Sequence, residues 1–454
     1  MVTEILWGDG TSDKIYLTYT AASGSQTIMV SSDANAGPAR TKDITFVSSV
    51  GNISRVLTVS QETNMNYVSI TWNDTCITYD DTAIAYPYEE EYIVFVDPVV
   101  EQICANAWGD GVGLKPSQAA QVTSIGSTFQ GNTDIVSFNE LEYFGLTTGT
   151  NITTINSAFY GCTSLESVSL PTIGFIGTNA FRDCSSLQRL KLSGSITVQS
   201  SGQFVGTSNL KRVDVPDIET WIGCVFNTNS AGYGNYPFSV SQDGHLYVNG
   251  SEIVALVIPS TITSIGNYIF SYVNGIESIS IPSSVTSIGT SCFYKCNSLT
   301  SVTIPATVNS LGNSAFNSCV GLLSITIGAS SIGNNCFQGS TNIENITLLG
   351  GVESIGSSCF NGLNKPTELI LPSTLTTIGG AAFANMRALK TMVSLATTPP
   401  TITGTQAFAN VSSVKIYVPY SSDQSILNNY KAAQYWSDKA SSIYELNQDG
   451  TIPT

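Results

Sequence analysis

The residues best suited to chemistry lie in one stretch of the chain. Five of the 17 basic residues, Arg182, Arg189, Lys191, Lys211 and Arg212, fall close together on a molecule with a formal charge of -16. Just beyond them, Tyr233 and Tyr236 sit among glycines. Guanidinium forks recognise carboxylates and other oxyanions in two-point geometry, and tyrosine faces add contact area, so this combination points to binding of acidic sugars or of a protein. Catalysis has far less to work with. The single histidine, His245, falls in a turn-like segment, and no G-x-S-x-G, H-E-x-x-H or phosphate-binding loop occurs. Paired carboxylates are a matter of distance, which a sequence does not give. We therefore expect no catalytic residues, no metal ligands and no cofactor.

What positions these residues is a repeat. A Phe, in most turns after a small residue, recurs at Phe129, Phe159, Phe181, Phe204, Phe226, Phe270, Phe293, Phe316, Phe337, Phe360, Phe383 and Phe408, most neighbours being 21 to 23 residues apart. A period in this range is the mark of a solenoid. In Ile288 to Pro305, I-G-T-S-C-F-Y-K-C-N-S-L-T-S-V-T-I-P, each position has a legible role. Leu, Val and Ile point inward from a short strand, the Phe fills the core from the opposite side, Gly permits a tight turn, and Pro ends the strand.

This unit resembles the BspA-like class of leucine-rich repeat, whose pattern reads I-G-x-x-A-F-x-x-C-x-x-L-x-x-V-x-I-P. Ile176 to Leu192 and Ile355 to Pro372 also match it. The residues flanking Val in each strand should face outward: Ser167/Ser169, Arg189/Lys191, Arg212/Asp214, Ser278/Ser280, Ser301/Thr303, Ser324/Thr326, Asn345/Thr347 and Glu368/Ile370. Most of that face is a ladder of short hydroxyls, and the basic residues interrupt it.

Ten cysteines invite a disulfide framework, but their positions argue for packing. Cys292, Cys336 and Cys359 precede the Phe where other repeats carry Ala; Cys162, Cys184, Cys296 and Cys319 follow it by three, where others carry Ser340, Leu363 or Met386. A stacked pair such as Cys162 and Cys184 retains the option of oxidation.

The expected fold is mainly β: an N-terminal immunoglobulin-like β-sandwich (1–63), a junction and N-terminal cap (64–121), leucine-rich repeats (122–419) with an insertion at 227–252, and a C-terminal cap (420–454). Residues 1–63, closing on Val56-Leu-Thr-Val-Ser-Gln61, resemble the BACON domain of gut Bacteroidetes and their crAss-like phages. That resemblance implies a spacer or attachment domain, or a carbohydrate-binding one with Trp7 as platform. Within the junction, Tyr92 to Val96 reads as a strand, and helices are expected from Pro98 to Trp108 and after Lys115. Trp108-Gly-Asp-Gly-Val-Gly resembles a shortened EF-hand-like or dockerin-like loop, in which Asp110 lacks the other acids that calcium needs. The tail resembles the family's closing segment through Ile416-Tyr-Val-Pro, Tyr430, Trp436 and Ile443.

Charged residues make up only 11% of the chain, with Ser, Thr, Asn and Gly supplying polarity. That suits a protein working outside a cytoplasm, and the negative charge argues against nucleic acid. No apolar run approaches a membrane span. The start at Met1 carries no basic or apolar leader. With the BACON-like resemblance, this points first to a phage virion protein whose residues 1–63 hold other virion proteins and whose repeats meet a host-surface glycan or protein. The alternative is a bacterial cell-surface or secreted adhesin whose export signal was removed.

Overall fold

In the computed structural model the chain forms two compact units, Met1–Tyr88 and Glu89–Thr454. The structure describes residues 91–144, 154–198, 202–226 and 236–453 in full, and six strands by their backbone between Val2 and Trp72.

The first unit holds two three-stranded antiparallel sheets. One pairs Val2–Leu6, Lys14–Ala22 and Ser25–Ser32; the other pairs Arg40–Val47, Ser54–Gln61 and Ser69–Trp72. Ser69–Trp72, which the sequence reading assigns to the junction, is thus the last strand of the second sheet. Trp7, the expected sugar platform, lies outside the described residues.

The second unit is the solenoid, and each turn repeats one plan. A strand of two to four residues on a long-strand face, such as Ser301–Ile304, buries Val302 and Ile304. After Pro305, Val308 turns inward and a two-residue strand, Ser310–Leu311, joins a second, short-strand face. The chain then passes the Phe and returns through Leu322. Successive turns pair in parallel and strictly in register, Ser301 with Ser324 and Ser324 with Asn345.

The Phe side has a backbone ladder of its own. Residues two before and two after most of the phenylalanines adopt left-handed φ, as at Ser314 (55°) and Ser318 (60°) around Phe316. Ser314, Phe316 and Ser318 then donate their N–H groups to Asn334, Cys336 and Gln338 of the next turn, and the neighbouring turns do the same. The rings stack from Phe270 to Phe408 with centroids 4.9–6.1 Å apart.

The glycine of the repeat does a different job from the one expected. Gly289, Gly312, Gly333, Gly356 and Gly379 do not have positive φ. They are needed because turns approach closely there: a Cβ on Gly312 would lie 2.5 Å from the carbonyl carbon of Gly289. The tight-turn role passes to the left-handed residues beside the Phe.

The nine described cysteines are free and buried. Cys162, Cys184, Cys296 and Cys319 donate their S–H to the carbonyl of the Phe one turn earlier, at 2.9–3.1 Å. Ser340 makes the same bond at 2.8 Å to Phe316. Burial pushes the Cys162 thiol up to about 11.

Both ends are covered. Helix Pro98–Ala107 starts at Asp97, whose Oδ1 accepts from Val99 and Val100 while its Oδ2 accepts from Val136 and Ser137 of the first turn. One carboxylate thereby fastens cap to array. A short helix, Pro116–Ala120, follows. Tyr92 to Val96 is not a strand: Ile93 and Phe95 are buried and Val94 and Val96 exposed because the segment lies along the core, held by an Ile93–Leu114 bond and by Glu140 accepting from Val96. Asp110 accepts from Val112, Gly113 and the Tyr92 hydroxyl, which closes its loop on itself. At the far end, helix Ser425–Ala432 and strand Ile443–Glu445 close the last turn. Tyr430 bonds Ser394 and Ala396, and Trp436 packs on Phe408 while donating to Pro400.

Candidate binding surface

Both faces of the solenoid break at one place. The long-strand face runs as six strands from Ser137–Phe138 to the hairpin at Ser251–Glu252, then restarts at Ala255–Val257. The short-strand face ends at Val225–Phe226 and resumes at Ser264–Ile265. The insertion bridges this seam. Trp221 is buried and donates to Ile269 at 2.9 Å, and Gly244 pairs with Val273. Strand His245–Val248 turns through Asn249 and Gly250, both left-handed, into Ser251–Glu252. Asn-Gly is the pair best suited to such a hairpin.

Ahead of this seam the outward positions carry charge. Arg189 is in register with Arg212, and Arg212 with His245. Like charges opposite one another in a sheet repel; Asp214 resolves the conflict. It is buried between the two guanidiniums and takes two hydrogen bonds from each, at 2.8 and 3.1 Å from Arg189 and at 2.8 and 2.6 Å from Arg212. Burial alone would raise the Asp214 pKa, but the two arginines outweigh it and hold the carboxyl below its ordinary range.

Around this core the network extends outward. Arg212 lies over the Tyr247 ring, 3.7 Å from its centroid. The Tyr247 hydroxyl donates to Glu252, which also meets His245 Nδ1 at 2.5 Å. Lys211 pairs with Asp243 at 2.9 Å, and Lys191 with Glu142 at 2.6 Å. Arg182 lies 3.7 Å from Asp183.

The five basic residues singled out from sequence therefore do not form a positive patch. Arg189, Lys191, Lys211 and Arg212 pair with three carboxylates, Glu142, Asp214 and Asp243, and Glu252 beside them meets His245, so the surface is charged but balanced. Tyr236 is not a surface platform either. It is 5% exposed, stacks on Tyr268 and Tyr272, and takes a hydrogen bond from Ser271, because the seam needs aromatic filling where the Phe column stops. Tyr233 lies outside the described residues. The aromatic residue that does reach the cluster is Tyr247. Its signal was available: His245-Leu-Tyr-Val248 has the same alternation as Arg212-Val-Asp-Val215, which places Tyr247 in the outward row beside Asp214.

Among the described residues no three His, Cys, Asp or Glu side chains converge as a metal site. His245 lies between Glu252 and Asp243 with no nucleophile in this network.

In-register parallel turns of 21 to 25 residues, each buried on Leu, Val, Ile and Phe, define the leucine-rich-repeat class of solenoid. The chain belongs to the BspA type leucine-rich repeat family, whose region matches residues 119–241, 244–331 and 330–431 in six copies. No curated protein matches it. Among solved structures, it is similar to a leucine-rich repeat protein of Bacteroides ovatus, with 19% identity over 69% of this chain and 92% of that one and a TM-score of 0.37. A leucine rich cell surface protein of Faecalibacterium prausnitzii shares 20% identity over 62% and 86%, with a TM-score of 0.30. The pneumococcal vaccine antigen PcpA shares 17% over 68% and 72%, at 0.35.

Proposed function

We propose that this chain is a non-catalytic recognition protein displayed on a bacterial cell surface, and that it reads a protein partner through the outward row centred on Asp214. The observation that carries this reading is the Arg189–Asp214–Arg212–Tyr247 network. It orders rotamer-rich side chains before any partner arrives, which lowers the entropy cost of binding. Arg and Tyr dominate binding hot spots at protein interfaces. Because the arginines are already neutralised and Tyr247 carries a guanidinium on one face, the surface suits a protein with mixed polar contacts better than an acidic sugar. A host-surface glycan is the second partner class. The bacterial surface, the sequence reading's alternative, is the setting we take: the family match lends no weight to the virion setting, nor to attachment through residues 1–63. Among the described residues no helix is long and apolar enough to cross a membrane.

The test is binding of labelled protein to epithelial cells pretreated with protease or with periodate. Loss after protease treatment, together with loss in Arg212→Ala and Tyr247→Ala, is the expected result. Loss only after periodate would transfer the reading to glycan. Wild-type binding by both variants would remove this surface from it.

A further inference from the structure

At the seam the solenoid leaves two strand edges open beside one groove. Ser251–Glu252 is the end strand of the six-stranded sheet, and Ala255–Val257 is an end strand of the two-stranded sheet that follows. Between them lies an open groove of about 580 Å³, lined by residues that include Asp217, Glu219, Glu252, Val254 and Val257.

Three observations bear on what fits there. First, the backbone is unpaired. Val254 accepts from Ser278 and Ile258 donates to Ser280, so in this parallel pair the even-numbered residues face the neighbouring strand. Alternation then aims the N–H and C=O of Ala255 and Val257 at the opposite edge, where no strand lies among the described residues. Second, the edge lacks the usual protection: no Lys, Pro or bulge interrupts Ile253 to Val257, and Val254 and Val257 are 44% and 63% exposed. Third, the charges on the groove wall have one sign. Asp217, Glu219 and Glu252 line it and, among the described residues, no Lys or Arg does.

We infer that this groove takes an extended peptide segment of a partner protein, added as a strand to the Ala255–Val257 edge, with apolar side chains against Val254 and Val257 and a lysine or arginine toward Glu219 and Asp217. Strand addition uses main-chain bonds for affinity and side-chain pockets for selectivity. The segment is basic because the wall is acidic. It is short because the edge is three residues long. The site is separate from the Asp214 network, although Glu252 borders both.

The experiment uses the full chain and a dye-labelled synthetic ten-residue peptide of alternating valine and lysine, read by fluorescence anisotropy. The controls are the valine–glutamate peptide and a valine–lysine peptide N-methylated on alternate backbone nitrogens. The expected result is saturable binding of the first peptide that weakens with salt, and none by either control. Glu219→Lys and Val254→Arg, both at exposed positions, should weaken it about tenfold or more, equivalent to about 1.4 kcal/mol. Val257→Pro, which removes a donor facing away from Ser278–Ser280, should abolish it with the thermal transition retained; if that variant misfolds, the two exposed variants decide. Arg212→Ala should leave it unchanged, so this inference and the proposed function fail separately. Equal binding of the glutamate or N-methylated peptide, or no binding at millimolar concentration, overturns the inference. So does a concentration-dependent dimer lost in Glu219→Lys, which would make the occupant a second copy of the chain.

Discussion

The turns from Ser264 to Val411 and those from Thr154 to Phe226 follow one plan, and they differ in how far they keep it. Behind the seam the Phe rings stack at interplanar angles of 5–18°, and in the turns up to Thr347 the outward rows are almost all Ser, Thr and Asn. Ahead of it the stack of Phe159, Phe181 and Phe204 gives way to Trp221, Phe226 and Phe238 at 44–57°. The outward row there carries Arg, Lys, Asp and Tyr. In a parallel in-register array each side chain meets its counterpart one strand spacing away, so a charged residue repeated turn after turn would repel itself. Hydroxyls repeat without penalty. Charged residues instead cluster beside the seam and return only singly, as Glu368 and Lys415, toward the far end.

The sharpest way to break this comparison is through glycine. Gly312→Ala, deep in the uniform turns, puts a Cβ 2.5 Å from backbone and should cost about 3 kcal/mol in urea unfolding. Gly266→Ala occupies the equivalent position at the seam, where the Cβ meets only Ile269 at 3.4 Å; it should cost less than about 1 kcal/mol. Similar losses at both would show that the seam is packed as tightly as the array.

A smaller effect is expected at Asp214. Asp214→Asn leaves two guanidiniums without their charge partner and should cost about 2 kcal/mol near neutral pH, less than a fully buried pair because both arginines are partly exposed. The sign with pH follows from a folded pKa held below the ordinary 3.8. The stabilisation is complete above that value and is lost as pH falls through the folded pKa. Unfolding curves of wild type and Asp214→Asn should therefore converge in acid, and a constant gap would refute the ion pair as the cause. Asp97, which holds the N-terminal cap, is also lowered, because its burial is outweighed by the backbone N–H groups of Val136, Ser137, Val99 and Val100, and it adds to the acid sensitivity of the front half, so the variant comparison is needed to isolate Asp214.

The smallest change expected is Ser340→Cys. Thiol and hydroxyl already alternate at this position with the same carbonyl partner one turn back, so calorimetry should show a shift of less than about 1 kcal/mol. A large loss would mean that the two are not interchangeable.

The contrast also separates what the residues announced from what they concealed. Phe, Leu, Val and the cysteines were readable because each repeats, and a position shared by Cys, Ser, Leu and Met describes its own surroundings. Gly312 was read as a turn residue because a sequence shows that a side chain is missing, not which neighbour would have met it. The basic residues are plain in the sequence, but two of their partners, Glu142 and Asp243, sit 49 and 32 residues away along the chain and adjoin them only once the turns stack. Tyr236 and Tyr247 stand close together in one insertion; the alternation of His245–Val248 marks Tyr247 as outward, whereas the burial of Tyr236 comes from stacking on Tyr268 and Tyr272 of a later turn, which no local pattern announces.

The backbone ladder on the Phe side has an electrical consequence. In both sheets the peptide groups alternate in direction and their dipoles largely cancel. Beside the Phe column they do not: N–H groups of one turn point to carbonyls of the next, from Gly131 bonding Tyr160 to Asn385 bonding Ala409. Aligned peptide dipoles add, as they do along a helix. That column thus carries a polarity along the solenoid axis, with carbonyl oxygens directed toward the first turn and amide hydrogens toward the last, whereas bonds such as Gly312 to Ile288 and Gly328 to Ile304 run the other way. Although the turns are near copies of one another, along the Phe column one end offers carbonyl oxygens and the other amide hydrogens.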